Sequence, residues 1–278
     1  MRARPIFPLL LTFALVLLFA AFLLWGMGAA SPHASAEGLA WSELAGLAGG
    51  PARALALNPA YPADQTVLAG GGMDMGHASM AGLGLFRSLD GGLTWADHAG
   101  PPNGALLDVA FSPNWQSDGY ALAGFYQGLW STQDHGATWQ MLSDVNEGTS
   151  PGFVAAVAVN LTVTGTHALL AGGPYGGIYH SADDGATWTW NGDPGAIYRL
   201  RFHPALPEIA LAAAGNGLWR STDGGVQWTR VVTASYVYDL AFAADNSAVA
   251  LYDGRAWRST DDGQTWQPLT NTPIERLR

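Results

Sequence analysis

Hydrophobic positions in this chain fall in short runs separated by turn residues, not at helical spacing. Leu107-Asp108-Val109-Ala110-Phe111-Ser112-Pro113 alternates as a half-buried strand does and stops at a proline. Counterparts lie at residues 53–59, 155–160, 198–204 and 238–243. An Ala/Leu-rich run follows each of them: Val67-Leu68-Ala69, Ala121-Leu122-Ala123, Leu169-Leu170-Ala171, Ala210-Leu211-Ala212 and Val249-Ala250-Leu251. A third run then carries a central apolar or aromatic residue, as in Leu85-Phe86-Arg87, Leu129-Trp130-Ser131, Ile178-Tyr179-His180, Leu218-Trp219-Arg220 and Ala256-Trp257-Arg258. A fourth strand opens on a tryptophan. Periods of 2, not 3.6, predict an all-β chain of four-stranded units.

The turn before each tryptophan repeats. Ser88-Leu89-Asp90-Gly91-Gly92-Leu93-Thr94-Trp95 is followed by equivalents ending in Trp139, Trp188, Trp228 and Trp266, with Asp134, Asp183, Asp223 and Asp261 at the aspartate position. The aspartates are 44, 49, 40 and 38 residues apart. Ser, Thr and Asp hydrogen-bond nearby backbone in tight turns, Gly supplies positive φ, and Trp offers a large packing face. These residues are therefore read as structural.

With that motif the chain resembles the Asp-box (BNR) repeat family of sialidases, sortilin-type receptors and photosystem assembly-factor propellers. The resemblance covers roughly residues 39–270. It implies a β-propeller of four-stranded blades and leaves function open, because the motif belongs to the scaffold. Five units are visible, and Leu39-Ala40-Trp41-Ser42-Glu43 reads as an extra outermost strand, so a ring of five or of six blades is expected.

Composition narrows the function. The formal charge is −10 and every basic residue is arginine, a surface that repels phosphate backbones and excludes nucleic acid as a partner. Without cysteine there is no disulfide or thiolate metal site. Arg2 and Arg4 precede an uncharged apolar run at residues 6–30, long enough to cross a bilayer core. Arginines on its N-terminal side place the remainder outside the cytoplasmic membrane. Ala34-Ser35-Ala36 is a small-x-small cleavage signature, so residues 1–36 are a signal peptide or an uncleaved anchor and residues 37–278 the propeller. The membrane is met only through that segment.

Aligning the first strands of the units puts Ala54, Asp108, Ala156, Arg199 and Asp239 at one position lining the channel, with Ala56, Ala110, Ala158, Arg201 and Ala241 two residues on. Confined charges are costly unless paired or solvated. The four are read either as a cross-channel network or as an anion site with an arginine fork. Tyr126, Glu147 and Tyr175 fall on loops of the face opposite the boxes. The loop at residues 73–80 brings Met73, Met75 and Met80 beside His77, soft ligands suited to Cu(I). Asn160-Leu161-Thr162 matches a glycosylation sequon.

The sequence thus leads to an exported, non-catalytic propeller acting as a binding or assembly scaffold for a protein or glycan partner. The first alternative is a sialidase-like glycoside hydrolase, in which case an arginine cluster, a Tyr/Glu nucleophile pair and an acidic Asp are expected from the resemblance. Here Arg53 falls on the packing side of its strand and no spacing supports a Tyr/Glu pair. The second alternative is a Cu(I)-interacting protein using the methionine loop.

Overall fold

The computed structural model describes residues 52–71, 84–97, 104–142 and 153–269. The leader, the methionine loop with Met73, Met75, His77 and Met80, and Glu147 lie outside them. No helix among the described residues is long and apolar enough to cross a membrane.

Among the described residues, twenty strands form five antiparallel sheets in simple sequential order. Each sheet is one blade. The innermost strands are β1 (Ala52–Leu57), β5 (Leu106–Phe111), β9 (Ala156–Leu161), β13 (Ile197–Phe202) and β17 (Asp239–Phe242). The second strands are β2 (Val67–Gly71), β6 (Ala121–Phe125), β10 (His167–Gly172), β14 (Ala210–Ala214) and β18 (Ala248–Tyr252). The third are β3 (Gly84–Ser88), β7 (Gly128–Thr132), β11 (Ile178–Ser181), β15 (Gly217–Ser221) and β19 (Arg255–Ser259). The outermost are short: β4 (Ala96–Asp97), β8 (Gln140–Met141), β12 (Thr189–Trp190), β16 (Thr229–Val232) and β20 (Gln267–Pro268). Short outer edges limit edge-to-edge pairing with other chains.

The core lies between blades. One apolar cluster joins blades 1 and 2 around Leu68, Leu106 and Trp115, and a second joins blades 2 and 3 around Leu122 and Val157. A third joins blades 3 and 4 around Leu170 and Leu200, and a fourth joins blades 4 and 5 around Leu211 and Leu240. The second strands of blades 2, 3 and 4 are buried throughout, which explains their Ala/Leu composition: both of their faces meet protein.

The boxes close one end of every blade by a shared hydrogen-bond pattern. In the first, Ser88 Oγ donates to Asp90 Oδ1 at 2.7 Å and accepts the Gly92 N–H at 2.8 Å. Asp90 Oδ1 also accepts the Thr94 N–H at 2.8 Å, and Oδ2 accepts its hydroxyl at 2.6 Å. The boxes at Asp134, Asp183 and Asp261 repeat all four bonds. In the fourth, Gln227 stands where the others have threonine, and Asp223 keeps only the Oδ1 bonds. The box glycine has positive φ in every copy, 74° to 96°. The residue before it is left-handed too, including His135, Asp184 and Asp262 at 58–60°. Asp and His are among the side chains that tolerate this region best.

These donors set an acid limit. The Thr94 hydroxyl and N–H, then Ser88, hold Asp90 down to about 2. At Asp134 and Asp261 partial burial pushes upward and is outweighed by the same donors from Thr138 and Thr265, again giving about 2. A folded value below the ordinary 3.8 means that the unfolded chain binds protons the folded chain refuses as pH falls, so this stability is complete above about pH 4 and is lost toward pH 2. The melting temperature is expected to be level from pH 6 to about 4.5 and to drop below 4; a level profile down to pH 2.5 would contradict it.

Candidate functional site

The inner strands carry their charges at the positions that alternation assigned, and the fold brings all four together. Arg199, on β13, donates from Nε to Asp239 Oδ1 on β17 at 2.9 Å and stands 3.7 Å from Asp108 Oδ1 on β5. Arg201, two residues along, reaches Asp108 Oδ2 at 3.2 Å and also donates to the Leu200 carbonyl at 2.7 Å. Asp108 Oδ2 accepts the Val157 N–H of β9 at 3.1 Å. Four of the five inner strands are thus tied by one set of charge-assisted bonds. The side chains of Asp108 and Arg199 are only 4% and 11% exposed, whereas that of Arg201 is 32% exposed. Burial works against the Arg199 charge, and Asp108 and Asp239 outweigh it, raising its pKa. Buried charge is tolerated here because each member has an opposite partner.

This geometry bears on chemistry. Asp108 Oδ2 accepts two donors, its Oδ1 lies 3.7 Å from Arg199 Nη1, and Arg199 is clamped between two carboxylates. An arginine held this way has its fork turned to the protein, not to a substrate carboxylate. A groove of about 440 Å³ does exist, but it lies at the rim between blades 4 and 5, lined by Arg220, Asp223, Gln227 and Gln264.

The exposed chemistry of the face opposite the boxes is aromatic. Tyr126, in the β6–β7 turn, meets Phe153 edge-on at 4.9 Å, and Phe153 meets Tyr175, in the β10–β11 loop, at 6.2 Å. Tyr175 is 72% exposed. A second group joins Tyr198 at the start of β13 to Tyr238 at 6.0 Å, and Tyr238 stacks on Tyr236 at 6.1 Å and 15°. Tyr236 and Tyr238 are 51% and 60% exposed, and Tyr236 takes a left-handed φ of 60°. Tyr126 and Tyr175 stand out in the sequence, but their link through Phe153 does not. Phe153, Tyr236 and Tyr238 lie in connections between blades, where the repeat assigns no role. A left-handed tyrosine such as Tyr236 has no signal in the sequence.

Other candidates resolve plainly. Asn160 is 8% exposed and its amide oxygen accepts the Leu161 N–H, so the sequon asparagine is inside the protein. His135 serves the turn: its carbonyl accepts Arg87 Nη1 of the preceding blade at 2.6 Å. No cluster of His, Cys, Asp or Glu among the described residues is arranged to hold a metal.

Five sequential four-stranded blades closed by these turns define a β-propeller of the Asp-box type. A BNR/Asp-box repeat model matches residues 257–268, the fifth box and its flanks. The protein is a BNR-type propeller. Part of it is 40% identical over 80 residues to a xyloglucanase of Hypocrea jecorina (strain QM6a), covering 23% of this chain and 10% of that one. Among solved structures, an ancestral GH74 enzyme aligns with 80% of this chain and 31% of its own at a TM-score of 0.59 and 15% identity. The GH74 xyloglucanase from Xanthomonas campestris aligns with 81% and 33% at 0.56 and 20%. The chain therefore spans a tenth of the curated relative and about a third of the solved structures. At such identities the likeness is one of fold.

Proposed function

We propose that this protein is a non-catalytic binding propeller, working outside the cytoplasmic membrane, that engages a protein or glycan partner through the face opposite its Asp boxes. The observation that carries the reading is the division of chemistry between interior and surface. Asp108, Arg199, Arg201 and Asp239 of the inner strands are spent on one another, while two groups of three aromatics stand at the surface of that face. Tyrosine gives flat apolar area with a polar tip at low entropic cost, a chemistry that suits sugar rings and peptide side chains alike. Arg201, the most exposed of the four charges, adds a donor at depth.

An aromatic anchor is worth about 2 kcal/mol, which is roughly thirtyfold in affinity. Tyr175→Ala combined with Tyr238→Ala is therefore expected to abolish measurable retention. The probes are soluble xyloglucan in affinity electrophoresis and detergent-solubilised native membranes in a pull-down. Equal retention of both probes by wild type and double variant would refute the reading.

The 80-residue match to a xyloglucanase favours a second reading, a glycoside hydrolase. Reducing ends released from xyloglucan, or a fluorogenic sialoside cleaved by wild type and not by Arg199→Ala, would establish that reading in place of the first.

A further inference from the structure

Four of the five boxes engage both oxygens of their aspartate, and the fourth box does not. Asp223 Oδ1 accepts the Ser221 hydroxyl at 2.8 Å and the Val226 and Gln227 N–H groups at 3.1 and 2.8 Å. Its Oδ2 accepts no hydrogen bond among the described residues, because Gln227 stands where the other copies place a threonine hydroxyl at 2.6 Å. The next box departs as well. Gln264 occupies the position that Leu93, Ala137, Ala186 and Val226 hold in the others. Both glutamines line the groove of about 440 Å³ between blades 4 and 5, on the side of the ring that the boxes close.

A third departure goes with the space itself. In blades 2 and 3 the residue three places past the box tryptophan reaches the following box. A Cβ built on Gly185 would stand 2.9 Å from Leu142 Cδ1, and Asn191 Nδ2 donates to the Gly225 carbonyl at 3.0 Å. Blade 4 has the shorter Val231 at this position, and it lines the groove. Arg220, paired across the sheet with Thr229, donates from Nε to the Asp262 carbonyl at 2.7 Å. Its two Nη groups donate to no acceptor among the described residues. One groove thus gathers an unsatisfied carboxylate oxygen, unused guanidinium donors, two amides and the hydroxyls of Thr222 and Thr229.

We propose that this groove is a saccharide site, separate from the aromatic face, that holds a neutral sugar unit by its hydroxyl groups. Arg220 and Asp223 cancel in charge, so the lining does not select an ion by its net sign. Asp223 Oδ2 can only accept and Arg220 can only donate, whereas amides and hydroxyls do both. A sugar hydroxyl also does both at one atom. Neighbouring hydroxyls on one ring can therefore donate to the carboxylate and accept from the guanidinium or an amide, and bonds to the charged groups are the strong ones. A peptide draws its specificity from pockets for its side chains, and Val231 is the one apolar residue among the described residues that line the groove. The volume falls within the roughly 300–1,000 Å³ of small-molecule sites.

The side-chain amide resonances of Gln227 and Gln264 report the site directly. In isotope-labelled full-length protein they are expected to shift saturably on titration with at least one of cellotetraose, maltotetraose and mannotetraose. Gln227→Thr restores the hydroxyl that engages Asp223 Oδ2 in the other boxes, so it keeps the fold while removing the open acceptor. Affinity read at Gln264 should then fall about tenfold, the loss of one hydrogen bond to a charged group. Val231→Leu, which gives blade 4 the side chain that blade 2 has at Leu142, tests the same site by volume and should also weaken binding. Tyr175→Ala with Tyr238→Ala should leave both amide shifts unchanged, so the groove and the aromatic face are tested separately. The proposal would be overturned by no shift of either amide with any of the three sugars. Shifts with sodium sulfate and with no sugar, which would mean an anion site, or wild-type affinity in both Gln227→Thr and Val231→Leu, would overturn it equally.

Discussion

Arg199→Met is expected to destabilise the protein by about 3–5 kcal/mol, the range for removing one member of a buried, hydrogen-bonded charge pair. The reason is what remains. Asp108, 4% exposed, loses one of its two guanidinium neighbours, and Asp239 keeps only the Leu240 N–H. Methionine fills similar volume, so the loss reports charge and not a cavity. Arg201→Met is the contrast. That side chain is 32% exposed, and Asp108 retains Arg199 and the Val157 N–H when it is gone. A cost near 1 kcal/mol is expected, as for an accessible pair. For a domain of this size each kcal/mol moves the melting temperature by about 2–4 °C, so the two variants should separate clearly in urea and thermal unfolding. Equal and small losses would show that the network contributes little to stability.

Gly217→Ala is expected to be nearly as damaging, by about 2–3 kcal/mol, through strain and not through charge. Gly217 opens β15 with φ 136°, a conformation closed to residues with a side chain, and a Cβ there would overlap the Val232 carbonyl of β16. The backbone cannot yield without breaking the pairing of Leu218 with Val232. Gly254, also at a β-turn with positive φ, has open space around the same atom, so Gly254→Ala isolates the backbone contribution alone and should cost less. Chemical denaturation of both variants measures the difference. If they unfold alike, the Val232 contact is not what constrains Gly217.

The paired charges also constrain how the protein can act. A hydrolytic carboxylate pair must exchange protons with substrate and water. Asp108 and Asp239 instead share one arginine and backbone donors in a largely enclosed network. Tyr175, Tyr236 and Tyr238 are exposed, and the two aromatic groups extend over three adjacent blades and their connections, as the proposed contact surface requires.

Much of this was legible along the chain because it repeats. A box needs particular atoms at fixed offsets: a hydroxyl, a carboxylate two residues later, and a glycine two beyond that. The same three residue types therefore recur wherever the turn does, and strands follow by period. Asp108, Arg199, Arg201 and Asp239 could be placed on one lining for the same reason, since equivalent positions in equivalent strands share a direction. That Asp184 and Asp262 adopt left-handed φ was not visible, because an aspartate in that place also fits an ordinary turn.

By itself, then, the sequence determined the local and periodic features: five four-stranded units, their boxes, the strand faces, and four charges directed toward the axis. Only the tertiary structure decided which of those charges meet. Arg201 reaches across β9 to Asp108, a distance in sequence of 93 residues, and nothing local specifies that span. The same holds for Phe153 joining Tyr126 to Tyr175. Repeats fix how a residue points within its own unit. Partners in other units depend on blade spacing and on irregular connections, which are set by packing of the whole ring.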